Sequence, residues 1–231
     1  IPLNITLEII RSILKSLGIL HEYKYNGEKL GVLHLDLNPG NIFFESADPE
    51  KEHWGTVKFI DFGGSIDRHN KEEVLKGRNW HVFTRGYSAP EMEDMIVSHI
   101  LPSTDLYSVC ACMLRMIVGS TFHEIKEESI CKILNKKYDP LISDYIQAIV
   151  KNASSCPSYY RYQNAFQMED DINSLINFLS YIEDGDYYRL LAVSYEKSFP
   201  NTKMLKKSRI IIESGFTRAT EQLKKDLLLD H

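Results

Sequence analysis

The chain contains, at residues 34–41, the stretch His34-Leu35-Asp36-Leu37-Asn38-Pro39-Gly40-Asn41, followed by the short apolar run Ile42-Phe43-Phe44. A Pro-Gly turn in this stretch holds an aspartate and an asparagine five residues apart. A second acidic motif, Asp61-Phe62-Gly63, follows the β-prone run at residues 56–60. Carboxylate and amide oxygens are the ligands that hard, hydrated cations prefer. The pattern therefore predicts a loop and a small hairpin that carry a cation site with a base beside it.

The composition is that of an ordinary globular protein, with 43% hydrophobic and 26% charged residues among 231. The formal net charge of −5 excludes a general nucleic-acid-binding surface. No stretch approaches the roughly 18 consecutive apolar residues of a membrane-spanning helix, so no span is predicted. The four cysteines lack metal-binding spacing. We expect free thiols in a reducing compartment, and therefore a cytoplasmic location.

Apolar residues recur at helical spacing through most of the chain. Residues 5–20 form one broad apolar face, and residues 105–118 are apolar on most sides, which predicts a central helix ended by Gly119. Residues 23–31 and 64–88 lack a clear period and are predicted to be irregular. Further helices are predicted at residues 124–135, 140–151, 168–182, 186–197 and 202–229. The predicted fold is mainly α, with one small β-hairpin.

Several motifs, taken in order, resemble the C-terminal, large lobe of a eukaryotic-type serine/threonine protein kinase. Each motif alone is weakly specific, whereas five in the family's order and with plausible spacing are strongly specific. The resemblance runs from about residue 3 to residue 183. The five are the catalytic loop at residues 34–41, the metal-binding triplet Asp61-Phe62-Gly63, the activation-segment end Ala89-Pro90-Glu91, the start of the central helix at residues 103–108, and Arg161.

The resemblance implies phosphoryl transfer from ATP to Ser or Thr of a protein substrate, with Mg²⁺ or Mn²⁺ as the metal. Asp36 would accept or orient the proton of the attacking hydroxyl, and His34 would orient the loop. Asn41 and Asp61 would hold the metal ions that bridge the nucleotide phosphates. Asn38 would lie at the transferred phosphate, and so belongs to the implied nucleotide site.

Other residues have a supporting role in the resemblance. Asp105 would brace the backbone of the catalytic loop from the buried helix. Glu91 and Arg161 would form a buried, structural ion pair, whose disruption typically costs about 3–5 kcal/mol. Thr84 and Gly86 would belong to the segment that receives the protein substrate.

Some residues depart from the family pattern. Leu35 stands where many kinases have an Arg that meets a phosphorylated activation-loop residue. Asn38 stands where Ser/Thr-directed kinases have a Lys, and the loss of that cation should weaken stabilisation of transition-state charge. Thr84 does match the Ser/Thr-kinase pattern. Arg78 and Arg85 are either ordinary exposed charges or contacts for an acidic substrate or a phosphate.

The 231 residues contain no Gly-rich loop and no strand Lys paired with a helix Glu, the features of the family's N-terminal lobe. We therefore expect residues 1–183 to be the large lobe of a longer kinase, with the N-terminal lobe as its missing partner and with little activity alone. Residues 184–231 are expected to be a helical extension that packs on the lobe or leads to a further domain.

Two other functions remain open from the sequence. One is a non-catalytic, kinase-like module that binds a partner, which Leu35 and Asn38 would allow. The other is a kinase-like small-molecule phosphotransferase, against which Phe62-Gly63 and Ala89-Pro90-Glu91 argue. Taken singly, the Asp and Asn of residues 34–41 are also common turn residues for local reasons.

Overall fold

The computed structural model describes residues 1–45, 55–69, 83–94 and 96–183. These residues contain six α-helices: Leu3–His21 (α1), Pro90–Glu93 (α2), Pro102–Val118 (α3), Glu127–Lys137 (α4), Pro140–Ser154 (α5) and Ala165–Glu183 (α6). They also contain six short strands: Lys24–Tyr25 (β1), Glu28–Lys29 (β2), Val32–Leu33 (β3), Ile42–Glu45 (β4), Thr56–Phe59 (β5) and Ile66–Asp67 (β6). The prediction of a mainly helical fold is confirmed.

Helix α3 lies at the centre of the main hydrophobic core and packs against α1, α5 and α6. Most of its apolar residues, among them Leu106, Val109 and Met113, are buried, whereas Met116 and Val118 near its end are partly buried. The helix begins at Pro102, which is tolerated in the first turn because its missing N–H would have no helical partner there. It ends at Gly119, whose φ of 84° is the left-handed conformation that glycine adopts freely.

A smaller apolar cluster lies on the other side of the loop 34–41. It joins the loop to β3, β6, α2 and the residues before α3, because each of these contributes one buried side chain. The members of this second cluster are Leu33, Leu35, Ile66, Met92 and Ile100. Leu35 is 2% exposed although its φ of 67° lies in the left-handed region that non-glycine residues rarely adopt.

The strands form three separate antiparallel pairs: β1 with β2, β3 with β6, and β4 with β5. In the β4–β5 pair, Ile42 lies opposite Phe59. The next backbone bond, from Ile60 N–H to the carbonyl of Asn41 at 3.0 Å, brings the two ends of the pair together. This bond places Asn41 close to Asp61, the residue after Ile60.

Five predicted helices are found, with ends that differ by up to three residues from those expected: α1, α3, α4, α5 and α6. The predicted helices at 186–197 and 202–229 lie outside the described residues. The prediction that residues 23–31 are irregular is wrong, because β1 and β2 pair around an Asn26-Gly27 turn with φ values of 50° and 84°. Asn-Gly is a recognised hairpin signal, so the pair was predictable. Among the described residues, no helix is both long and apolar enough to cross a lipid bilayer.

Candidate active site

The loop at residues 34–41 rests on one buried carboxylate. Asp105, in the first turn of α3, is 0% exposed. Its Oδ2 accepts the backbone N–H of His34 at 2.9 Å, and its Oδ1 accepts that of Leu35 at 2.7 Å. His21, at the end of α1, adds a third contact from Nε2 to Oδ2 at 2.9 Å. A buried charge is tolerated only when it is paired and hydrogen-bonded, and these three contacts satisfy that requirement.

The ring of His34 is held at both nitrogens. Its Nδ1 accepts the backbone N–H of Asp36 at 3.4 Å, so the ring proton resides on Nε2, which donates to the carbonyl of Ile60 at 3.1 Å. The ring also packs on Phe62, with 4.9 Å between ring centroids. These contacts join the loop to the end of β5 and suit an orienting residue rather than a group that exchanges a proton with substrate.

Asp36 is half-buried, and its side chain accepts three hydrogen bonds. Oδ1 accepts from Thr84 Oγ1 at 2.6 Å and from Asn38 Nδ2 at 3.3 Å. Oδ2 accepts from Asn41 Nδ2 at 3.0 Å. Each carboxylate oxygen has two lone pairs. Within the described part of the chain, Oδ1 is therefore saturated, while Oδ2 retains one acceptor position.

Asn41 and Asp61 each have a side-chain oxygen that could hold a hard divalent cation. Both amide hydrogens of Asn41 are used on Asp36, at 2.8 Å to the carbonyl and 3.0 Å to Oδ2, so its Oδ1 is the atom left for a ligand. Asp61 is exposed, and its Oδ1 accepts the N–H of Gly63 at 3.3 Å. Among the described residues no hydrogen bond engages the Oδ2 of Asp61. Proteins usually hold Mg²⁺ through only one or two protein oxygens, and phosphate and water oxygens complete its shell. One carboxylate oxygen and one amide oxygen match this pattern.

The backbone at Asp61 adopts the left-handed conformation, with a φ of 59°. The residue caps a 3₁₀ turn formed by Phe62–Gly64. Asp tolerates this conformation better than most residues because its short side chain bonds locally. The residue is exposed to solvent. No group of three or more His, Cys, Asp or Glu residues with metal-binding geometry occurs in the described ranges.

Asn38 is engaged at both ends of its amide. Its Oδ1 accepts the N–H of Gly40 at 2.9 Å and thereby caps the turn Pro39–Asn41. Its Nδ2 donates to Asp36 Oδ1 and to Thr84 Oγ1, the latter at 3.2 Å. The amide thus links the loop to the segment around Thr84, and a phosphate contact would have to replace one of these bonds.

The segment from Thr84 to Ser88 is tightly folded. The carbonyl of Thr84 accepts the N–H groups of Tyr87 and Ser88, and Thr84 N–H donates to Ser88 Oγ at 3.0 Å. Gly86 has a φ of 90°, and a Cβ there would lie 2.5 Å from Thr121 Oγ1. Only glycine fits this position. Burial raises the pKa of the Tyr87 hydroxyl.

Glu91 and Arg161 form a bidentate pair, with Nη1–Oε1 and Nη2–Oε2 distances of 2.6 and 2.8 Å. Both residues are 4% exposed. Thr104, in the first turn of α3, also donates to Glu91 Oε1 at 2.9 Å, and Arg161 Nε donates to the carbonyl of Ser155 at 2.7 Å. The segment that begins at Thr84 leads into α2, and the pair anchors it to the helical core at Glu91.

Two contributors to the site were not predicted from the sequence. His21 and Thr104 contact Asp105 and Glu91, respectively. A histidine at the end of an apolar helix and a threonine after Pro102 are weak signals by themselves. The first of these contacts spans 84 residues and becomes visible only when α1 is packed on α3.

The chain matches the family model of the protein kinase domain over residues 2–206. A probable serine/threonine-protein kinase of Streptomyces coelicolor is 24% identical over 178 residues, 72% of this chain and 24% of that protein. Mitogen-activated protein kinase 13 of Homo sapiens is 31% identical over 121 residues, 52% of this chain and 27% of that protein. The probable serine/threonine-protein kinase WNK9 of Oryza sativa subsp. japonica is 26% identical over 187 residues, 75% of this chain and 40% of that protein. The matched part of this chain spans less than half the length of each relative. Because the family model covers most of this chain, the chain belongs to the protein kinase domain family.

Proposed function

We propose that residues 1–183 act as the large lobe of a serine/threonine protein kinase, which transfers the terminal phosphate of ATP to a hydroxyl of a protein substrate. The observation that carries the proposal is the hydrogen-bonded group of Asp36, Thr84 and Asn41, which combines a positioned carboxylate with an adjoining oxygen ligand. We further propose that a separate nucleotide-binding lobe completes the ATP site. Residues 184–231 would be a helical extension, and they lie outside the described residues.

In the proposed mechanism, the serine or threonine hydroxyl of the substrate donates to the remaining acceptor position on Asp36 Oδ2. The hydroxyl oxygen attacks the terminal phosphorus of ATP, its proton passes to Asp36, and the bond to the leaving ADP oxygen breaks. Asn41 and Asp61 would hold Mg²⁺ or Mn²⁺, which supplies charge neutralisation at the phosphates. The chain's own contribution is mainly to position groups, as is usual for phosphoryl transfer.

Thr84 matches the Ser/Thr-kinase pattern, and this match supports a Ser/Thr preference; its hydroxyl also orients the proposed base. Because it donates to Asp36 Oδ1 at 2.6 Å, it fixes which carboxylate oxygen is open to the substrate. Asn38 supports the same orientation through its bonds to both residues. In this proposal Asn38 holds the base, and its neutral amide provides less stabilisation of transition-state charge than a lysine would.

A non-catalytic, partner-binding module is the second candidate. It is favoured by Leu35 and Asn38, which replace the two cations that the family resemblance leads one to expect. Leu35 is buried in the second apolar cluster and cannot meet a phosphate.

The test is phosphoryl transfer by the full-length protein, with Mg·ATP and a generic protein substrate rich in Ser and Thr. We expect Asp36→Ala to lower the rate by about 10²-fold or more, because a positioned general base typically contributes that much. The matched control is Asp94→Ala, an exposed aspartate after α2, which should leave the rate unchanged. If the wild-type protein transfers no phosphate, the partner-binding module becomes the better interpretation. If Asp36→Ala transfers phosphate normally, Asp36 is not the base and the proposed mechanism is wrong.

A further inference from the structure

Arg85 lies between two residues whose positions are fixed. On one side, the hydroxyl of Thr84 bonds to Asp36 at 2.6 Å. On the other side, Gly86 is buried against Thr121 and holds a left-handed φ of 90°. The backbone of Arg85 cannot shift without breaking one of these contacts. The residue is therefore a fixed point one residue from Thr84, which contacts the proposed base, since consecutive Cα atoms are about 3.8 Å apart.

The side chain of Arg85 is exposed but held in one direction. Its Nε donates to Nε2 of His123, in the connection between α3 and α4, at 2.5 Å. This contact uses one N–H and leaves the two terminal nitrogens of the guanidinium, a planar pair of donors that matches the geometry of a carboxylate or a phosphate.

Arg85 has no acidic partner within the described ranges. No carboxylate there lies within 4.0 Å of its guanidinium. The acid next to His123 in the sequence, Glu124, is already engaged: its Oε2 accepts from Arg115 Nη1 at 2.9 Å and from the N–H of Thr121 at 3.0 Å. Arg85 is thus an oriented arginine without an acidic partner among the described residues, and it directly follows Thr84, which contacts Asp36. Such an arginine is arranged to meet an anion carried by the substrate.

We propose that Arg85 is a specificity-determining residue, which binds an anionic side chain within one or two residues of the phosphorylated Ser or Thr. The inference rests on the proposed kinase function and deepens it by naming the substrate class. The anion is a carboxylate or a phosphate, because both present paired oxygens to the guanidinium. His123 is a positioning residue in this recognition. The chain as a whole carries a net charge of −5, so the attraction must come from this local feature and not from the overall charge.

The experiment compares peptides that share one Ser and differ only in the residues around it: Glu, Gln, Lys or phosphoserine within two positions on either side. We expect the full-length wild-type protein to use the best Glu peptide with a kcat/KM on the order of tenfold above that of its Gln counterpart. The phosphoserine arm distinguishes a site for carboxylates from one that prefers phosphate. Arg85→Gln should remove this preference, so that its kcat/KM values for the Glu and Gln peptides agree within about twofold. Arg85→Glu should favour the Lys peptide instead.

Two further variants sharpen the result. His123→Ala should reduce the preference without reversing it, because the charge remains and only its orientation is lost. The control is Arg11→Glu, on α1 and paired with Glu8, which should leave the preference unchanged. Equal use of Glu and Gln peptides by the wild type, or a preference that survives in Arg85→Gln, would overturn the inference and leave the kinase function standing. Failure to phosphorylate any peptide would overturn both.

Discussion

Three buried carboxylates in the described part of the chain have different partners, and the partners determine what each one does. Asp105 accepts two backbone N–H groups and contacts His21, and it holds a loop. Glu91 is paired with Arg161 and holds a segment. Asp171, on α6, is 0% exposed and accepts one bond, from the Tyr162 hydroxyl at 2.6 Å, while its Oδ1 has no partner within the described part of the chain. Of these three described carboxylates, only Asp171 is buried without a compensating positive charge or a set of backbone donors.

This difference predicts a pH dependence of stability that belongs to Asp171. Burial raises the pKa of its carboxyl to about 6, against the opposing effect of the Tyr162 bond and with a smaller contribution from Asp170. The unfolded value is about 3.9. The folded state therefore binds more protons between these values, and stability falls as the pH rises through them, by up to about 3 kcal/mol in total.

The measurement is urea unfolding of the wild type and of Asp171→Asn between pH 4 and pH 8. We expect the variant to gain stability relative to the wild type as the pH rises, and the difference to level off above about pH 7. The same comparison with Asp94→Asn, an exposed residue, should show a nearly constant difference. A constant difference for Asp171→Asn as well would mean that the carboxyl is ionised in the folded state throughout.

At the scale of elements, the tight segment 84–88 and the connection between α3 and α4 are fitted to each other at Gly86 and Thr121. Gly86→Ala should be destabilising for two separable reasons. The left-handed φ of 90° costs a non-glycine residue about 1–2 kcal/mol, and the new Cβ meets Thr121 Oγ1, which adds an overpacking cost of about 1–3 kcal/mol. The second cost should largely disappear in the double variant with Thr121→Ala, because that change removes the clashing oxygen.

Chemical unfolding of the two single variants and the double variant measures this coupling. Gly27→Ala is the matched control, since Gly27 has a φ of 84° and nothing lies within 4 Å of its Cβ position. It should show the backbone cost alone. Strictly additive effects of Gly86→Ala and Thr121→Ala would contradict the proposed fit. In the proposed kinase, Gly86→Ala should also lower activity, because it displaces Thr84 and Arg85 from the base.

At the scale of the whole molecule, the parts predictable from sequence are those that depend on near neighbours. Helices α1 and α3 follow from the spacing of their own apolar residues, and the Pro-Gly turn and Gly119 mark local chain reversals. The contacts that give the site its geometry join distant positions: Thr84 and Asp36 are 48 residues apart, and His21 and Asp105 are 84 apart. A single sequence shows the members of such pairs but not the packing that selects each partner. The family resemblance supplied Thr84, Asp36 and Asp105 as candidates, whereas neither the resemblance nor the periodicity indicated His21.

The pair of Glu91 and Arg161 connects parts of the chain that are 70 residues apart, and it gives a whole-molecule prediction. Removing one partner leaves the other charge buried and unpaired. We therefore expect Glu91→Leu or Arg161→Met to lower the free energy of unfolding by about 3–5 kcal/mol each. The double variant should be closer to the wild type than either single variant, because two apolar side chains need no charge compensation.

Denaturant unfolding of the wild type, the two single variants and the double variant gives the coupling energy between Glu91 and Arg161 directly. An exposed ion pair provides the reference. Glu8 and Arg11, one turn apart on α1 and about one-third exposed, form a surface pair, so Glu8→Ala should cost less than about 1 kcal/mol. If Glu91→Leu costs no more than Glu8→Ala, the buried pair is not holding α2 to the core. Thr104 of α3 also donates to Glu91, so Thr104→Val should reproduce part of the loss. If Thr104→Val loses part of the free energy of unfolding and the Glu91→Leu/Arg161→Met double variant recovers it, the charge pairing of Glu91 can be distinguished from apolar packing around it.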